Sequence, residues 1–149
     1  MILDETMGDL LLERTLAIIK PDAVKRHLTG EILRQIENTG FTLRGLKMLH
    51  LTRVQAEHFY EVHKARPFFG SLCQYMSSGP VVVAMLEGER AIERWRELMG
   101  ATDPAKAAAG TLRKQFGTDI EQNAVHGSDG PETAARELGF FFSGLELAG

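Results

Sequence analysis

Residues 81–86 are the part of this sequence that most restricts its fold. Val81-Val82-Val83-Ala84-Met85-Leu86 is an unbroken apolar run rich in β-branched side chains, which is typical of a strand. A second apolar run, from Leu16 to Ile19, ends at Lys20-Pro21, and proline discourages the continuation of a strand ladder. We therefore expect a strand at each run, and a buried one at Leu16–Ile19.

Amphipathic helices separate the predicted strands. Ile32, Leu33 and Ile36 share one face of a helix predicted over residues 29–39, and Gly40 stands where a helix-ending glycine belongs. The following residues, 41–51, alternate loosely and predict a strand with a bulge at Gly45.

The middle of the chain predicts two further helices and a return to the sheet. Thr52 to Gln55 match a capping box, and an apolar stripe follows over Ala56, Phe59, Tyr60 and His63. A second stripe predicts a helix near residues 69–76.

The last third of the chain predicts a helix over residues 89–99 and then a long loop over 101–119. A short strand at Ala124-Val125 and a helix from Gly130 toward Gly139 complete the pattern.

This order of elements predicts a mixed α/β fold of the α+β kind. It is typical of the ferredoxin-like, split βαβ plan, a four-stranded antiparallel sheet with helices packed on one face. The 149 residues, 44% of them hydrophobic and 25% charged, fit one soluble domain. We expect residues 13–149 to form that domain and residues 1–12 to be a leader whose role the sequence does not define.

Charge and cysteine content exclude several classes of protein. A net charge of −3 argues against a dedicated nucleic-acid binder. The single cysteine, Cys73, allows no intramolecular disulfide, and no segment approaches the roughly 20 apolar residues of a membrane span. The start of the chain carries Asp4, Glu5 and Asp9 but no early basic residue, unlike a signal peptide. We expect a cytoplasmic protein that binds no membrane.

His126 is the strongest candidate for a chemical role. It follows the predicted strand at Ala124-Val125 and precedes Gly127, Ser128 and a helix start. An imidazole is a good nucleophile near neutral pH, and the first amides of a helix bind anions. Gly127 would leave space for a phosphoryl group. The residues alone still favour the alternative, an ordinary surface-loop histidine.

Other candidates lie elsewhere in the chain. A polyphosphate needs several fixed cations, and Lys20, Arg66, Arg96 and Arg113 are available. Each could equally be a solvated surface charge, because spacing alone does not show that they converge. The same two interpretations apply to three further residues: Phe68 could stack on a nucleobase, Glu137 could orient His126, and Tyr60 could turn a polar tip toward a site. No Walker-type or kinase-type glycine loop and no metal-binding cluster is present in the sequence.

Five segments, taken in order, carry a family resemblance. They are Glu13–Asp22, His63–Phe69, Ser78–Val82, Gly110–Arg113 and Asn123–Asp129. Together they span nearly the whole chain, and the sequence strongly resembles the nucleoside diphosphate kinases, in particular the bacterial type with a short C-terminus. The resemblance implies a ping-pong reaction in which His126 takes the γ-phosphoryl group of a nucleoside triphosphate and passes it to a nucleoside diphosphate.

The resemblance also implies roles for the other candidates. Contacts to phosphates, ribose or the transferring group would come from Lys20, Tyr60, Arg96, Thr102, Arg113 and Asn123. Phe68 would stack on the base with Leu72 beside it, while Ser128 and Glu137 would position His126. Mg²⁺ would bind through the phosphates of ATP and other nucleotides, with few or no protein ligands, which fits its preference for phosphate and water.

The sequence departs from many relatives at Ala109, where a proline often precedes Gly110, and it ends soon after Phe142. Both features resemble shorter bacterial members, so we expect a homo-oligomer, with a tetramer favoured over a hexamer or a dimer. Two other hypotheses are a non-catalytic regulatory or nucleic-acid-binding module and a catalytically inactive paralogue. Steep salt-dependent binding of single strands without phosphotransfer would favour the first of these, and the intact set of candidate residues argues against the second.

Overall fold

Residues 12–149 are described by the structure, a computed structural model, and their centre is one antiparallel sheet. Its strands are β1 (Leu12–Ile19), β2 (Thr42–Leu49), β3 (Val81–Glu89) and β4 (Val125–Gly127), in the order β2-β3-β1-β4. The predicted four-stranded α+β fold is confirmed. The predicted leader lies outside the described residues except for Leu12, which begins β1.

Seven helices connect and cover the strands in the described part of the chain. They are α1 (Pro21–Lys25), α2 (Thr29–Asn38), α3 (Arg53–Phe59), α4 (Phe69–Met76), α5 (Ala91–Met99), α6 (Leu112–Phe116) and α7 (Pro131–Phe141). Short 3₁₀ turns lie at Glu61–His63, Pro104–Lys106 and Gly144–Glu146. None of the helices in residues 12–149 is long and apolar enough to cross a membrane.

Helices cover both faces of the sheet, so the expectation of helices on one face was wrong. Side chains alternate along a strand, and in β1 Leu16 and Ile18 enter one hydrophobic cluster while Ala17 and Ile19 enter another. The first cluster packs against α3, α4 and α7, and the second against α1, α2, α5 and α6. The run Val81–Leu86 is apolar without interruption because both of its faces are buried.

Several local predictions are confirmed by the backbone. Thr52 and Gln55 form the capping box that starts α3. Gly40, after α2, has a φ of 99°, which suits glycine at a helix end. The bulge in β2 falls at Arg44, beside the predicted Gly45, where the pairing with β3 shifts by one residue.

Other local predictions need correction. His126 lies inside β4, opposite Ile18 of β1, and does not follow the strand. The helix predicted from Glu89 begins at Ala91, because β3 continues to Glu89 and Arg90 turns the chain with a φ of 47°. The long loop over 101–119 contains α6, whose N-terminus is capped by the Thr111 hydroxyl.

Gly127 fixes the distance between β4 and α5. A Cβ atom added there would lie 2.5 Å from Met99 Cε and 2.7 Å from Trp95 Nε1, closer than such atoms can approach. The indole Nε1 of Trp95 also donates a hydrogen bond to the carbonyl of His126, at 3.2 Å. The space beside Gly127 is thus filled by α5, and not left for a phosphoryl group as the sequence suggested.

We expect Gly127→Ala to lower the free energy of unfolding by about 1–3 kcal/mol, because the added methyl group overpacks this contact. Gly139→Ala is the matched control: nothing lies within 4 Å of a Cβ at that position in α7, and alanine should stabilise the helix by about 0.5–1 kcal/mol. Denaturant unfolding of both variants measures the difference. Equal stability of Gly127→Ala and the original chain would contradict the tight packing.

Candidate active site

A cavity of about 940 Å³ opens at the edge of β4, between α4, α5 and α7. It brings together side chains that are far apart in the sequence. The predicted residues that line it are Lys20, Tyr60, Phe68, Leu72, Arg96, Thr102, Arg113, Asn123, His126 and Glu137. Ser128 is fully buried behind the cavity wall, and Arg66 does not line the cavity.

A buried carboxylate fixes the ring of His126. Glu137 Oε1 lies 3.0 Å from His126 Nε2 and accepts a hydrogen bond from the Ser128 hydroxyl at 2.7 Å. The Ser128 hydroxyl in turn accepts from the backbone N–H of Leu16 at 3.4 Å. This row of contacts ties the imidazole to the central strand β1 through α7.

The protonation state of Glu137 sets the tautomer of the ring. Burial raises the pKa of this carboxyl, but the hydrogen bonds from His126 and Ser128 outweigh burial and hold the pKa below its ordinary value. Glu137 is therefore an anion near neutral pH and can only accept. Nε2 of a neutral His126 must carry the ring proton, which leaves the lone pair on Nδ1.

The backbone before His126 is strained. Ala124 has a φ of 74°, and the N–H of Val125 donates back to the carbonyl of Asn123 at 2.9 Å. This is a γ-turn with positive φ, a rare conformation for a residue other than glycine. Lys20 N–H holds the turn by donating to the carbonyl of Ala124 at 2.8 Å. The turn points the side chains of Asn123 and His126 into the same cavity.

Lys20 is a buried cation at the inner end of the cavity. Its Nζ donates to Asn123 Oδ1 at 2.8 Å and to the carbonyl of Glu121 at 3.3 Å. Burial and the nearby charge of Arg113 lower the pKa of Lys20 to about 8, although Asp22 and Glu121 oppose the shift. The described contacts leave Lys20 without a hydrogen-bonded carboxylate partner, so a bound anion would stabilise its charged form.

Two arginines predicted from the sequence, Arg113 and Arg96, add positive charge to the cavity. Arg113 is buried and donates to the carbonyls of Gly100 and Val125 at 3.0 and 2.9 Å. Burial and the charge of Arg96 lower the pKa of Arg113 to about 10, which leaves it protonated at neutral pH. Arg96 is half-exposed and donates to Asp129 at 2.7 Å. Arg136 of α7, which donates to the carbonyls of His58 and Phe59, also lines the cavity, so four cations surround it.

Tyr60 presents an unused donor. Burial and the charge of Glu137 raise its pKa, so the phenol keeps its proton. Its hydroxyl is buried and has no hydrogen-bond partner among residues 12–149, a costly arrangement unless a ligand accepts the bond. The ring packs edge-on to His126, with centroids 6.2 Å apart.

Apolar side chains form the outer end of the cavity. Phe68 is 47% exposed and Ile120 is 61% exposed, although both are large and hydrophobic. Leu72, on the first turns of α4, lies on the same wall as Phe68. A flat aromatic ligand could lie between them.

Several residues of this cavity are not indicated by any pattern in the sequence. Ile120 lies in an irregular stretch without periodicity. Asp129 pairs with Arg96, and the sequence separation of these two residues does not indicate that contact. The sequence pattern predicts only that His63 ends the stripe of a helix. It lines the cavity instead, with its ring 5.6 Å from that of Phe68. Nothing short of the fold brings these residues together.

Three of the four carboxylates that line the cavity have partners in the described contacts, Glu132 being the exception. Glu137 binds His126 and Ser128, Asp129 binds Arg96, and Glu121 accepts from Ser71. Within residues 12–149, no three histidine, cysteine or carboxylate side chains are grouped as metal ligands. A metal ion at this site would therefore need most of its ligands from a bound anion and water.

Comparison with known proteins gives a consistent result. Residues 13–147 match the family model described as "Nucleoside diphosphate kinase". The curated nucleoside diphosphate kinase of Geotalea uraniireducens is 62% identical over 136 residues, which cover 91% of this chain and 99% of that protein.

Solved structures agree with the sequence comparison. The nucleoside diphosphate kinase of Aquifex aeolicus superposes with a TM-score of 0.90 and is 51% identical, covering 92% of this chain and 99% of its own. A halophilic nucleoside diphosphate kinase from Halobacterium salinarum, solved in complex with CDP, gives a TM-score of 0.89 at 39% identity and covers 92% of this chain and 91% of its own.

Glu137→Gln tests the anionic anchor. A carboxyl with a depressed folded pKa stabilises the fold above its unfolded pKa, and this contribution is lost as the pH falls through the lower folded value. We expect the variant to be about 1–3 kcal/mol less stable at pH 7, with the difference shrinking below about pH 4.5. Denaturant unfolding at a series of pH values measures it.

Glu97→Gln provides the control, since Glu97 is exposed on α5 and should change stability by about 0.5 kcal/mol or less. A Glu137→Gln difference that stayed constant down to pH 3 would contradict an ionised Glu137.

Proposed function

The chain belongs to the nucleoside diphosphate kinase family, and we propose that it transfers phosphoryl groups through a covalent intermediate on His126. As a member of this family it is a phosphotransferase acting between nucleoside tri- and diphosphates. The proposal for the mechanism rests on one observation above all. His126 is held at Nε2 by a buried carboxylate in a cavity ringed by cations.

The first half of the reaction follows from the tautomer of His126. The Nδ1 lone pair attacks the γ-phosphorus of a nucleoside triphosphate, the new N–P bond forms, and the bond to the β,γ-bridging oxygen breaks with its electron pair. The nucleoside diphosphate leaves. Glu137 stabilises the positive charge that develops on the ring while Nε2 keeps its proton.

The second half is the reverse of the first. A different nucleoside diphosphate enters, its terminal oxygen attacks phosphorus, and the N–P bond breaks to regenerate neutral His126. The two nucleotides use the same cavity in turn, which makes the scheme ping-pong. The protein supplies one nucleophile and otherwise positions groups and neutralises charge.

The cations and the free phenol serve the phosphates. Lys20 and Arg113 are buried donors beside His126, and Arg96 can exchange Asp129 for a phosphate oxygen. The unpartnered Tyr60 hydroxyl would donate to the transferring group. Asn123, held by Lys20 and by the carbonyl of Thr102 at 3.0 Å, would contact the ribose.

The outer end of the cavity would hold the nucleobase. Phe68 would stack on one face of the base, with Leu72 beside it and Ile120 opposite. Stacking on exposed apolar side chains does not distinguish bases strongly. The arrangement therefore suits an enzyme that accepts several nucleotides.

Mg²⁺ fits the composition of this site. Three of the four carboxylates of the cavity bind other side chains, so the ion would be held mainly by the nucleotide phosphates and water, with few or no ligands from the protein. When bound, it would neutralise negative charge on the phosphates.

The proposal extends to the domain, the location and the assembly of the protein. We expect one domain over residues 13–149, a cytoplasmic location and a homo-oligomer, with a tetramer favoured over a hexamer or a dimer. Strand β2 is an edge of the sheet and exposes Leu46 and Met48. Such an apolar edge supports association between copies of the chain.

Incubation with γ-labelled ATP should leave an acid-labile, base-stable label on the protein. His126→Ala should abolish the label, because the nucleophile is gone. His63→Ala is the matched control, since His63 is an imidazole in the same cavity and should leave labelling intact. A label retained in His126→Ala, or lost only in His63→Ala, would contradict the assignment.

Nucleotide affinity should depend on the charge of Lys20. Its pKa of about 8 means that the charge is lost as the pH rises through that value, while a nucleotide's terminal phosphate is already ionised. We expect the Kd of ADP to rise by about tenfold between pH 7 and pH 9. Calorimetric titration across this range measures it.

Lys20→Met should bind ADP weakly at every pH and remove this dependence. If the dependence persisted in the variant, another group would be responsible for it.

A further inference from the structure

One side-chain hydrogen bond joins α4 to the segment that carries Ile120 at the outer end of the cavity. The hydroxyl of Ser71, on α4, lies 2.8 Å from Glu121 Oε2 and 3.1 Å from Glu121 Oε1. Ser71 stands between Phe68 and Leu72 in the sequence, and Glu121 follows Ile120. The bond therefore joins the two walls that carry the apolar residues of the outer cavity.

Hydrogen bonds within the segment 117–123 hold its backbone in place. Asp119 Oδ1 accepts from the backbone N–H groups of Glu121 and Gln122 at 3.0 and 2.7 Å, and the N–H of Thr118 donates to the carbonyl of Gln122 at 2.8 Å. Within residues 12–149, Ser71 and Glu121 form the only described hydrogen bond between this segment and α4.

Glu121 also contacts the inner cavity through its backbone. Its carbonyl accepts from Lys20 Nζ at 3.3 Å, and its charge partly opposes the effect of burial on Lys20. The same residue thus holds the cation at one end and α4 at the other. Because Lys20 Nζ holds the Glu121 carbonyl and Asp119 braces the segment, loss of the bond to α4 would move Ile120 and leave the contact with Lys20 in place.

We propose that Ser71 and Glu121 are positioning residues that fix the width of the nucleobase slot between Phe68 and Ile120. The proposal rests on the function proposed above, because it assumes that the base enters between these walls. Neither side chain reacts with the substrate. Their hydrogen bond restricts the conformations of the 117–123 segment before the nucleotide binds. Less conformational entropy is therefore lost on binding.

This role predicts an effect on nucleotide binding and not on chemistry. His126, Glu137 and Ser128 are fixed to β1 and α7 and do not depend on α4 through any described hydrogen bond. Loss of the Ser71–Glu121 bond should therefore weaken binding and leave kcat at saturating nucleotide within about twofold.

Ser71→Ala, Glu121→Ala and the double variant form the test. We expect each single variant to weaken ADP binding by about threefold to tenfold, the usual effect of one such bond, and the double variant to be no weaker than either single one. Ser71→Ala should leave the affinity for inorganic tripolyphosphate, which has no base, unchanged. Calorimetry and steady-state kinetics give the affinities and kcat.

Three further variants separate positioning from general damage. Glu121→Gln keeps an acceptor oxygen at the same length and should recover most of the ADP affinity at about pH 6.5, where Lys20, with a pKa of about 8, stays protonated without the charge of Glu121. Gln74→Ala on α4 and Gln122→Ala beside Glu121 alter exposed neighbours and should have no effect. Thermal unfolding should show the same midpoint for Ser71→Ala as for the original chain.

The outcomes distinguish this proposal from the function on which it depends. If His126 takes label from ATP but the alanine variants bind ADP normally, the positioning role is wrong and the proposed function stands. Additive losses in the double variant, or parallel losses of ADP and tripolyphosphate affinity in Ser71→Ala, would also overturn it. If the original chain takes no label, the proposed function itself fails.

Discussion

The buried Glu137 carboxylate is the interaction on which the site depends. It accepts from Ser128 and His126, and an anion inside a protein is stable only when such donors compensate for lost water. The donors come from β4 and the residue that follows it, and the acceptor comes from α7. Helix and sheet must therefore dock before the imidazole has a defined tautomer. The chemistry proposed for His126 depends on that docking.

The inner end of the cavity, where the phosphates are proposed to bind, is governed by charge burial. Lys20 and Arg113 are positive groups in a poorly solvated place, and burial is the first cause of both lowered pKa values. Burying these cations without a counter-charge lowers the stability of the folded protein. A polyphosphate offsets this loss, because the anion supplies the missing counter-charge. The unpartnered hydroxyl of Tyr60 belongs to the same pattern, since it is also completed by an acceptor from outside.

The sequence predicted the fold best where a short pattern has one structural meaning. The expected chemistry came from the five segments that resemble nucleoside diphosphate kinases. The apolar run at 81–86, the capping box at Thr52 and the glycine at position 40 each have one physical interpretation, and each is confirmed. The covering of both sheet faces was missed because the antiparallel plan was taken to leave one face free, although a strand as apolar as Val81–Leu86 needs cover on both. The packing role of Gly127 was missed because its neighbours, Trp95 and Met99, are about 30 residues away in the chain.

The predicted site residues illustrate the same division. Spacing could not show that Lys20, Arg96 and Arg113 approach one cavity, because convergence is a property of tertiary structure. Ile120 carried no signal, since a hydrophobic residue in an irregular segment is ordinary. Its exposure beside Phe68 becomes informative only in the fold. The two ends of the cavity are then held by separate means, the inner end by buried charge and the outer end by a hydrogen bond between α4 and the 117–123 segment. Glu121 contacts both, with its carbonyl at Lys20 and its carboxylate at Ser71. In the proposed function, the carboxylate of Glu121 serves the base and its carbonyl serves the cation that meets the phosphates, while His126 is held separately on the sheet.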